Sequence, residues 1–478
     1  MSIKRNYGYN LFNSFLNIAF PIFTFPYAAR ILSPDGIGQT QFIFSYAQYF
    51  ALLAAFGIPI YGVKVISEAR DNQAKLNKAT TELLLISTVN MIIVLVIYIS
   101  SIMIIGQFRE NQADYLLASL LIVLSVFNVD WFFSGKEQFK IIAIRSGLIK
   151  TVAFILLFIT VRNSDDITAY LFFLVFLYIG NYALNFFFLF RNVKLDFREI
   201  IPKKHLRPLV LILSMTIATT IYTTLDSVLL GFLSNTTEVG YYTAAVKLSK
   251  VSIPILTSLG IVALPKITGM IQSNNQLAQQ SLYEKSFSFI SFLAIPMCLG
   301  IYLLRTETIL LFSGEEFMPA AQDVAALAFL PLFIGFGHFA AFQVLLPLNQ
   351  NKSLFISTVV GMCLFFGLCF LLVPKSGSTG AAISNTVTEL IVTVCYFMFF
   401  PKYILLSLPW KKLITAGLAV LPFVPIVLFL QSQLKHSLTI IILAISMCSL
   451  VYVLIQYYIF KEKLIIDSLT FLRNGKKK

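Results

Sequence analysis

Fourteen apolar stretches of 18–28 residues follow one another along this chain, and little sequence separates them. They run approximately over 7–29, 39–66, 82–105, 115–134, 141–161, 168–190, 208–233, 240–264, 287–304, 321–348, 354–373, 380–400, 413–430 and 438–460. A spanning helix needs roughly 17–25 apolar residues. In hydrocarbon every backbone N–H and C=O must be satisfied within its own segment, which leaves helices as the solution for such runs. The expected fold is therefore an all-α polytopic membrane protein of about 14 transmembrane helices. A composition 58% hydrophobic and 12% charged leaves no material for a soluble domain.

The charges that remain are distributed unevenly. With the N-terminus inside, 27 of the 36 Lys and Arg residues fall on cytoplasmic segments. Six fall on the opposite face: Arg30, Arg109, Arg162, Arg305, Lys375 and Lys435. The positive-inside rule then places both termini in the cytoplasm and fits an even number of helices. Lys4 and Arg5 before an apolar run imitate a signal peptide. The run is long, is interrupted by Asn10, Asn13, Asn17, Pro21 and Pro26, and lacks a small-x-small cleavage site, so it reads as a retained first helix. The terminal run Lys476–Lys478 suits contact with anionic membrane lipids. The net charge of +14 does not indicate nucleic acid, because no soluble fold is available to present a basic face. The five cysteines lie in apolar stretches without metal-ligand spacing and are expected to be buried reduced thiols; no metal site is expected.

The longest cytoplasmic connection carries six basic residues and divides the chain after the sixth helix. The expected organisation is an N-lobe over 1–190, a basic linker over 191–207, a C-lobe over 208–400, and helices 13–14 with a basic tail over 401–478. A weak internal repeat supports two lobes. SPDGIGQTQFIFSYAQ (33–48) and NTTEVGYYTAAVKLSK (235–250) each set an acidic, glycine-bearing turn before a long helix. Aligning Gly38 with Gly240, 202 residues on, also superposes Lys64 on Lys266 and Ala29 on Gly231. Six helices per lobe would make these parallel repeats about an axis along the membrane normal. Prolines within the spans read as static kinks or as hinges for alternating access.

Three lysines, Lys150, Lys247 and Lys250, sit well inside apolar segments and are the only basic residues assigned to neither face. At ~1.5 Å per residue they lie about 10–15 Å from the start of their helices, near mid-depth. A cation there costs roughly 2.5–3.5 kcal/mol on the insertion scale, and it normally faces a cavity or a partner. Arg30, Lys64 and Arg145 extend the set towards the two interfaces, where snorkelling of the side chain is an equal reading. If all six face a cleft, they form a basic track suited to phosphate, with Lys as point charge and Arg as fork. The competing reading for the lysines is structural ion pairing with Asp130, Asp226 or Glu389. Asp226 and Glu389 are also candidates for ion coupling. Asp130 is more simply a local cap, beside an interfacial aromatic belt of Trp131, Phe132 and Phe133. His338 is the one histidine at membrane depth, a proton relay or a structural residue.

Enzymatic classes lack their requirements. There is no Walker A sequence, and the longest outer loop, about 305–320, carries Glu307, Glu315 and Glu316 but no histidine. A membrane polymerase or ligase needs a larger outer platform for its acid/base groups. No cofactor is expected, and a proton gradient, a sodium gradient or the membrane potential is the energy available to a carrier of this kind.

The segments RILSPDGIGQ (30–39), DWFFSGKEQFKIIAIRS (130–146), GYYTAAVKLSK (240–250), LPLNQNKS (346–353) and GAAISNTVTEL (380–390), in this order, resemble bacterial polysaccharide transporters. These are the O-antigen and repeat-unit flippases of the multidrug/oligosaccharidyl-lipid/polysaccharide superfamily. The resemblance implies two bundles opening alternately to either side of the bacterial plasma (inner) membrane. The cargo it implies is an undecaprenyl-diphosphate-linked oligosaccharide, with polysaccharide polymerase and chain-length machinery as partners. Alternatives are a multidrug or cation exporter of the same superfamily, for which an acidic lumen is expected, and a membrane polysaccharide polymerase or ligase.

Overall fold

The computed structural model describes residues 3–198, 200–273, 275–462 and 464–466. The Lys476–Lys478 run lies outside the described residues. Among those described, the chain is helical and contains no strand. Contacts divide it into two compact units, Met1–Gly240 and Tyr241–Lys478. Among the described residues, eleven helices are long and apolar enough to cross a membrane.

The first unit holds α1 (Ile3–Ala55), α2 (Ile58–Ala69), α3 (Gln73–Ile104), α4 (Gln112–Ala118), α5 (Leu120–Val123), α6 (Asp130–Gly135), α7 (Phe139–Thr160), α8 (Ile167–Asn192), α9 (Lys203–Thr224) and α10 (Asp226–Leu233). Helix α11 (Thr236–Lys250) begins in this unit and ends in the second. The second unit continues with α12 (Ile253–Gln272), α13 (Gln276–Leu303), α14 (Arg305–Phe312), α15 (Ala320–Leu327), α16 (Leu330–His338), α17 (Asn351–Met398), α18 (Lys402–Ser407), α19 (Lys411–Ala419), α20 (Phe423–Gln433) and α21 (Ser437–Tyr458). The linker expected over 191–207 therefore falls inside the first unit rather than between two. Its attachment explains this: α9 packs on α2 and α10 packs on α1.

Helices α1 and α17, 53 and 48 residues long, are each two helices that turn back on themselves. In α17 the break is Gly377, at φ 52° and ψ −130°, a backbone that a side chain would strain. Beyond it Gly380 lies against the backbone of Leu372, and Gly361 faces Thr388 and Val392. Residues thirty apart in sequence touch only if the chain has reversed. In α1 the break is Ser33, at φ 63°, followed by Pro34. Phe20 and Phe44, on opposite sides of it, reach the same stretch of α8 at Phe173 and Tyr178, 6.0 and 5.7 Å between ring centres.

The second arm of α1 ends at Phe56 and Gly57, both at positive φ, and Pro59 opens α2. The carbonyls this break frees are satisfied from α3, where the Asn90 amide donates to Leu53 O and Ala54 O at 2.7 and 3.0 Å. An amide at membrane depth is thus what permits the bend.

Asp114 and Asp323 make similar contacts in the two units. In the first unit Thr168 at the start of α8 donates to Asp114 at 2.8 Å. In the second, Thr379 donates to Asp323 at 2.7 Å. Both carboxylates are buried. The pairs are separated by 209 and 211 residues, so the same chemistry ties α4 to α8 in the first unit and α15 to α17 in the second.

Two expectations require correction. Trp131, Phe132 and Phe133 form no interfacial belt. They are buried between Ile58, Ile66, Leu83 and Leu84, and Trp131 covers the bare face of Gly62. Nor are all cysteines buried: Cys363 is exposed and Cys395 half-buried, although all five are free thiols.

Candidate functional site

The charged side chains at membrane depth form separate groups in the two units. In the first, Lys150 lies near the middle of α7 and is half-buried. Its ammonium donates to the side-chain oxygen of Asn17 on the first arm of α1. Asn17 is exposed, and Lys150 has no carboxylate within ion-pair distance among the described residues. An amide oxygen orients an ammonium without neutralising it.

Five residues earlier, Arg145 does the opposite. Its guanidinium is almost wholly buried, 2% exposed, and Nη2 donates to Asp130 Oδ1 at 2.6 Å. Its Nε donates to Asn181 Oδ1 at 3.1 Å, and Nη1 to the side-chain oxygen of Asn185. Asn185 returns a bond from Nδ2 to Asp130 Oδ1 at 3.1 Å. Asn181 and Asn185 stand four apart on α8 and so share a face. Arg145 is thus an ion-paired cation, hydrogen-bonded through all three of its nitrogens to α6 and α8. Asp130, which opens α6, is its partner and is therefore not the partner of the lysines.

Arg30 and Lys64 are exposed, Lys64 with its ammonium 4.0 Å from Glu68 one turn on. Asp226 is buried at the start of α10 and accepts from the backbone N–H of Ser227 at 2.7 Å.

In the second unit, Lys247 and Lys250 are both half-buried near the end of α11. Glu389, on the second arm of α17, is half-buried and lies within electrostatic range of Lys250. The second unit thus places an anion near Lys250, where the first sets Lys150 against an amide. His338 ends α16 and stacks on Phe342, 4.6 Å between ring centres. A π-helical turn, Phe339–Leu345, follows, and the imidazole closes on the bare face of Gly260. Its place is a packing site beside a glycine.

An apolar groove of about 470 Å³ runs between α13, α20 and α21, lined by residues that include Phe292, Pro296, Gly300, Phe423, Ile445 and Tyr452. Gly300 has open space where a side chain would stand.

A family model described as "Polysaccharide biosynthesis protein" matches residues 3–271, more than half of the chain. The chain belongs to that family. Among curated relatives of this family member is a candidate O-antigen transporter of Shigella dysenteriae, 23% identical over 390 residues, covering 79% of this chain and 95% of the relative. A candidate O-antigen transporter of Escherichia coli K12 is 23% identical over 415 residues, covering 84% and 97%. Among solved structures, the lipid II flippase MurJ in an inward closed conformation superposes with a TM-score of 0.69 at 14% identity, over 90% of this chain and 98% of that one. An inward-facing multidrug-resistance transporter of the MATE family gives 0.62 at 16% identity, over 83% and 95%. These likenesses establish the fold, and with the apolar helices they identify a multi-pass protein of the bacterial inner membrane.

Asn17, Asn181 and Asn185 did not figure among the sequence candidates. Their signal was available: asparagines in apolar spans must bond across helices or waste their amides.

Proposed function

We propose that this polysaccharide-biosynthesis protein is a flippase that carries an undecaprenyl-diphosphate-linked oligosaccharide from the cytoplasmic to the outer leaflet by alternating access. The proposed architecture has fourteen spans and both termini in the cytoplasm. It adds two spans to two six-helix lobes related as parallel repeats. The reversals at Ser33 and Gly377 and the matched Asp–Thr ties support that count and that repeat. Family membership and the relatives' names support the cargo class.

The observation that carries the cationic route is Lys150, held by an amide and not by a carboxylate. A diphosphate leaving water needs charge compensation at every depth, and an unneutralised ammonium supplies it. Lys247 and Lys250 provide the corresponding charges of the second unit, with Glu389 as a counter-charge that a cargo phosphate displaces. Asp226, Glu389 and His338 are the groups through which an ion gradient would act.

Lys150→Ala, Lys247→Ala and Lys250→Ala should each reduce translocation about tenfold at limiting cargo, the effect of one lost charge-assisted hydrogen bond. Transfer of lipid-linked oligosaccharide in proteoliposomes, at matched protein level, measures this. Unaltered transfer in the triple variant rejects the cationic route. Transport of cationic dyes in place of the oligosaccharide would favour an exporter, which the shared fold with a MATE transporter also accommodates.

The prenyl chain stays in an apolar phase throughout, and the groove between α13, α20 and α21 offers it a track. Gly300→Trp, which fills open space, should slow transfer while leaving thermal stability within ~0.5 kcal/mol of the parent. Equal transfer rates in variant and parent would remove the groove from the route.

A further inference from the structure

A second basic feature lies apart from the mid-depth lysines, where α2, α3 and α9 meet in the first unit. They enclose an open recess of about 370 Å³, a size that suits a small polar ligand. Lys75 and Lys78, in the first two turns of α3, and Lys204, in the first turn of α9, line it.

This placement of cations is electrostatically adverse. A helix N-terminus carries about half a positive charge from its aligned peptide dipoles, and acidic residues normally occupy its first turn. Neither α3 nor α9 has one there. Three ammonium groups and the starts of two helices thus border one recess.

The carboxylates in the recess are engaged away from Lys75 and Lys78. Glu82 is wholly buried in its floor, and both its oxygens are committed. Oε1 accepts from the backbone N–H of Ile201 at 2.8 Å, and Oε2 accepts from Lys204 at 2.7 Å and His205 Nε2 at 3.0 Å. The Tyr61 hydroxyl closes the floor against His205 Nδ1 at 2.9 Å. Glu68, at the rim, lies by Lys64. Asp196, beside the recess, accepts from the backbone N–H of Arg198. Lys75 and Lys78 form no ion pair among the described residues.

We infer that this recess is a binding site for a phosphate group, held by Lys75 and Lys78 over the Glu82–His205–Tyr61 floor. An anion at this point neutralises the two unpaired lysines, since Glu82 already meets the start of α9 at Ile201 and Lys204, and Asn72 caps the Lys75 N–H at the start of α3. The phosphate belongs to an anionic phospholipid headgroup or to a soluble phosphate, and the two sources are separable.

The test uses the full-length protein purified in a neutral detergent. Native mass spectrometry counts retained dioleoylphosphatidylglycerol against dioleoylphosphatidylcholine, and thermal unfolding is followed with either lipid or with inorganic phosphate. Lys75→Gln/Lys78→Gln is compared with Lys352→Gln/Lys411→Gln, which removes equal charge from exposed positions elsewhere. The expected result is a preference for phosphatidylglycerol that falls about tenfold to thirtyfold in the recess variant alone. A shift produced by inorganic phosphate and lost in the recess variant would keep the site and assign it to soluble phosphate. Equal binding by both variants, or no binding of either probe by the parent, overturns the proposal. Lys75→Ala alone, at the exposed rim, guards against misfolding of the double variant and should give a partial loss of the same preference.

Discussion

Asp130→Ala should destabilise the protein by about 3–5 kcal/mol, the cost of leaving a buried cation without its partner. The substitution removes a carboxylate that is itself 46% exposed, so the loss arises at the other end of the pair. Arg145, 2% exposed, would keep only the oxygens of Asn181 and Asn185. The prediction separates from a general effect of mutation through the double variant Asp130→Ala/Arg145→Leu. With no charge left to solvate, that variant should recover most of the lost stability, because replacing a buried pair with apolar groups is often neutral. Thermal unfolding in detergent, read on the folded peak in size-exclusion chromatography, gives both numbers. A single variant as stable as the parent would mean that water or lipid headgroups already screen Arg145.

Gly38→Ala and Gly240→Ala form the second large prediction. Within the first unit, a methyl group built on Gly38 would stand 1.7 Å from the carbonyl oxygen of Thr236. One built on Gly240 would stand 1.9 Å from the carbonyl oxygen of Pro34. Both obstacles are backbone, so no rotamer relieves them and the helix start has to move. Each substitution should cost at least the roughly 1–3 kcal/mol of an overpacked core. Gly269→Ala and Gly367→Ala are the controls, since nothing lies within 4 Å of either position. These should be neutral or stabilising, as helix propensity favours alanine by about 1 kcal/mol. If all four variants unfold at the same temperature, the close approach at Gly38 and Gly240 is not maintained in solution.

The sequence expectation of helices held because apolar length alone dictates them. Its boundaries failed where helix-start chemistry resembles a loop. Ser33, Pro34 and Asp35 read as a connection, yet proline and an acidic residue also suit the first turn of a helix, and here a single residue at positive φ makes the turn. The Asp–Thr ties were not legible, because their spacings of 209 and 211 residues depart from the 202 that aligns Gly38 with Gly240. Charge at depth was also legible, since polarity shows against an apolar background. Its pairing was not. Which carboxylate reaches Arg145 depends on the turn between α6 and α7, and Glu82 meets His205 across 123 residues. The aromatic run at Trp131 shows the same limit: composition gives three large rings, and only packing says whether they face lipid or Gly62.

The reversal at Gly377 also bears on how the protein is made. The two arms of α17 are joined with no slack, and residues on either side of the turn already touch. Once the first arm has entered the bilayer, the second cannot wait in water for a later signal. The pair should leave the insertion machinery as one hairpin, and a tag inserted at 377 should block biogenesis before it affects any transport step.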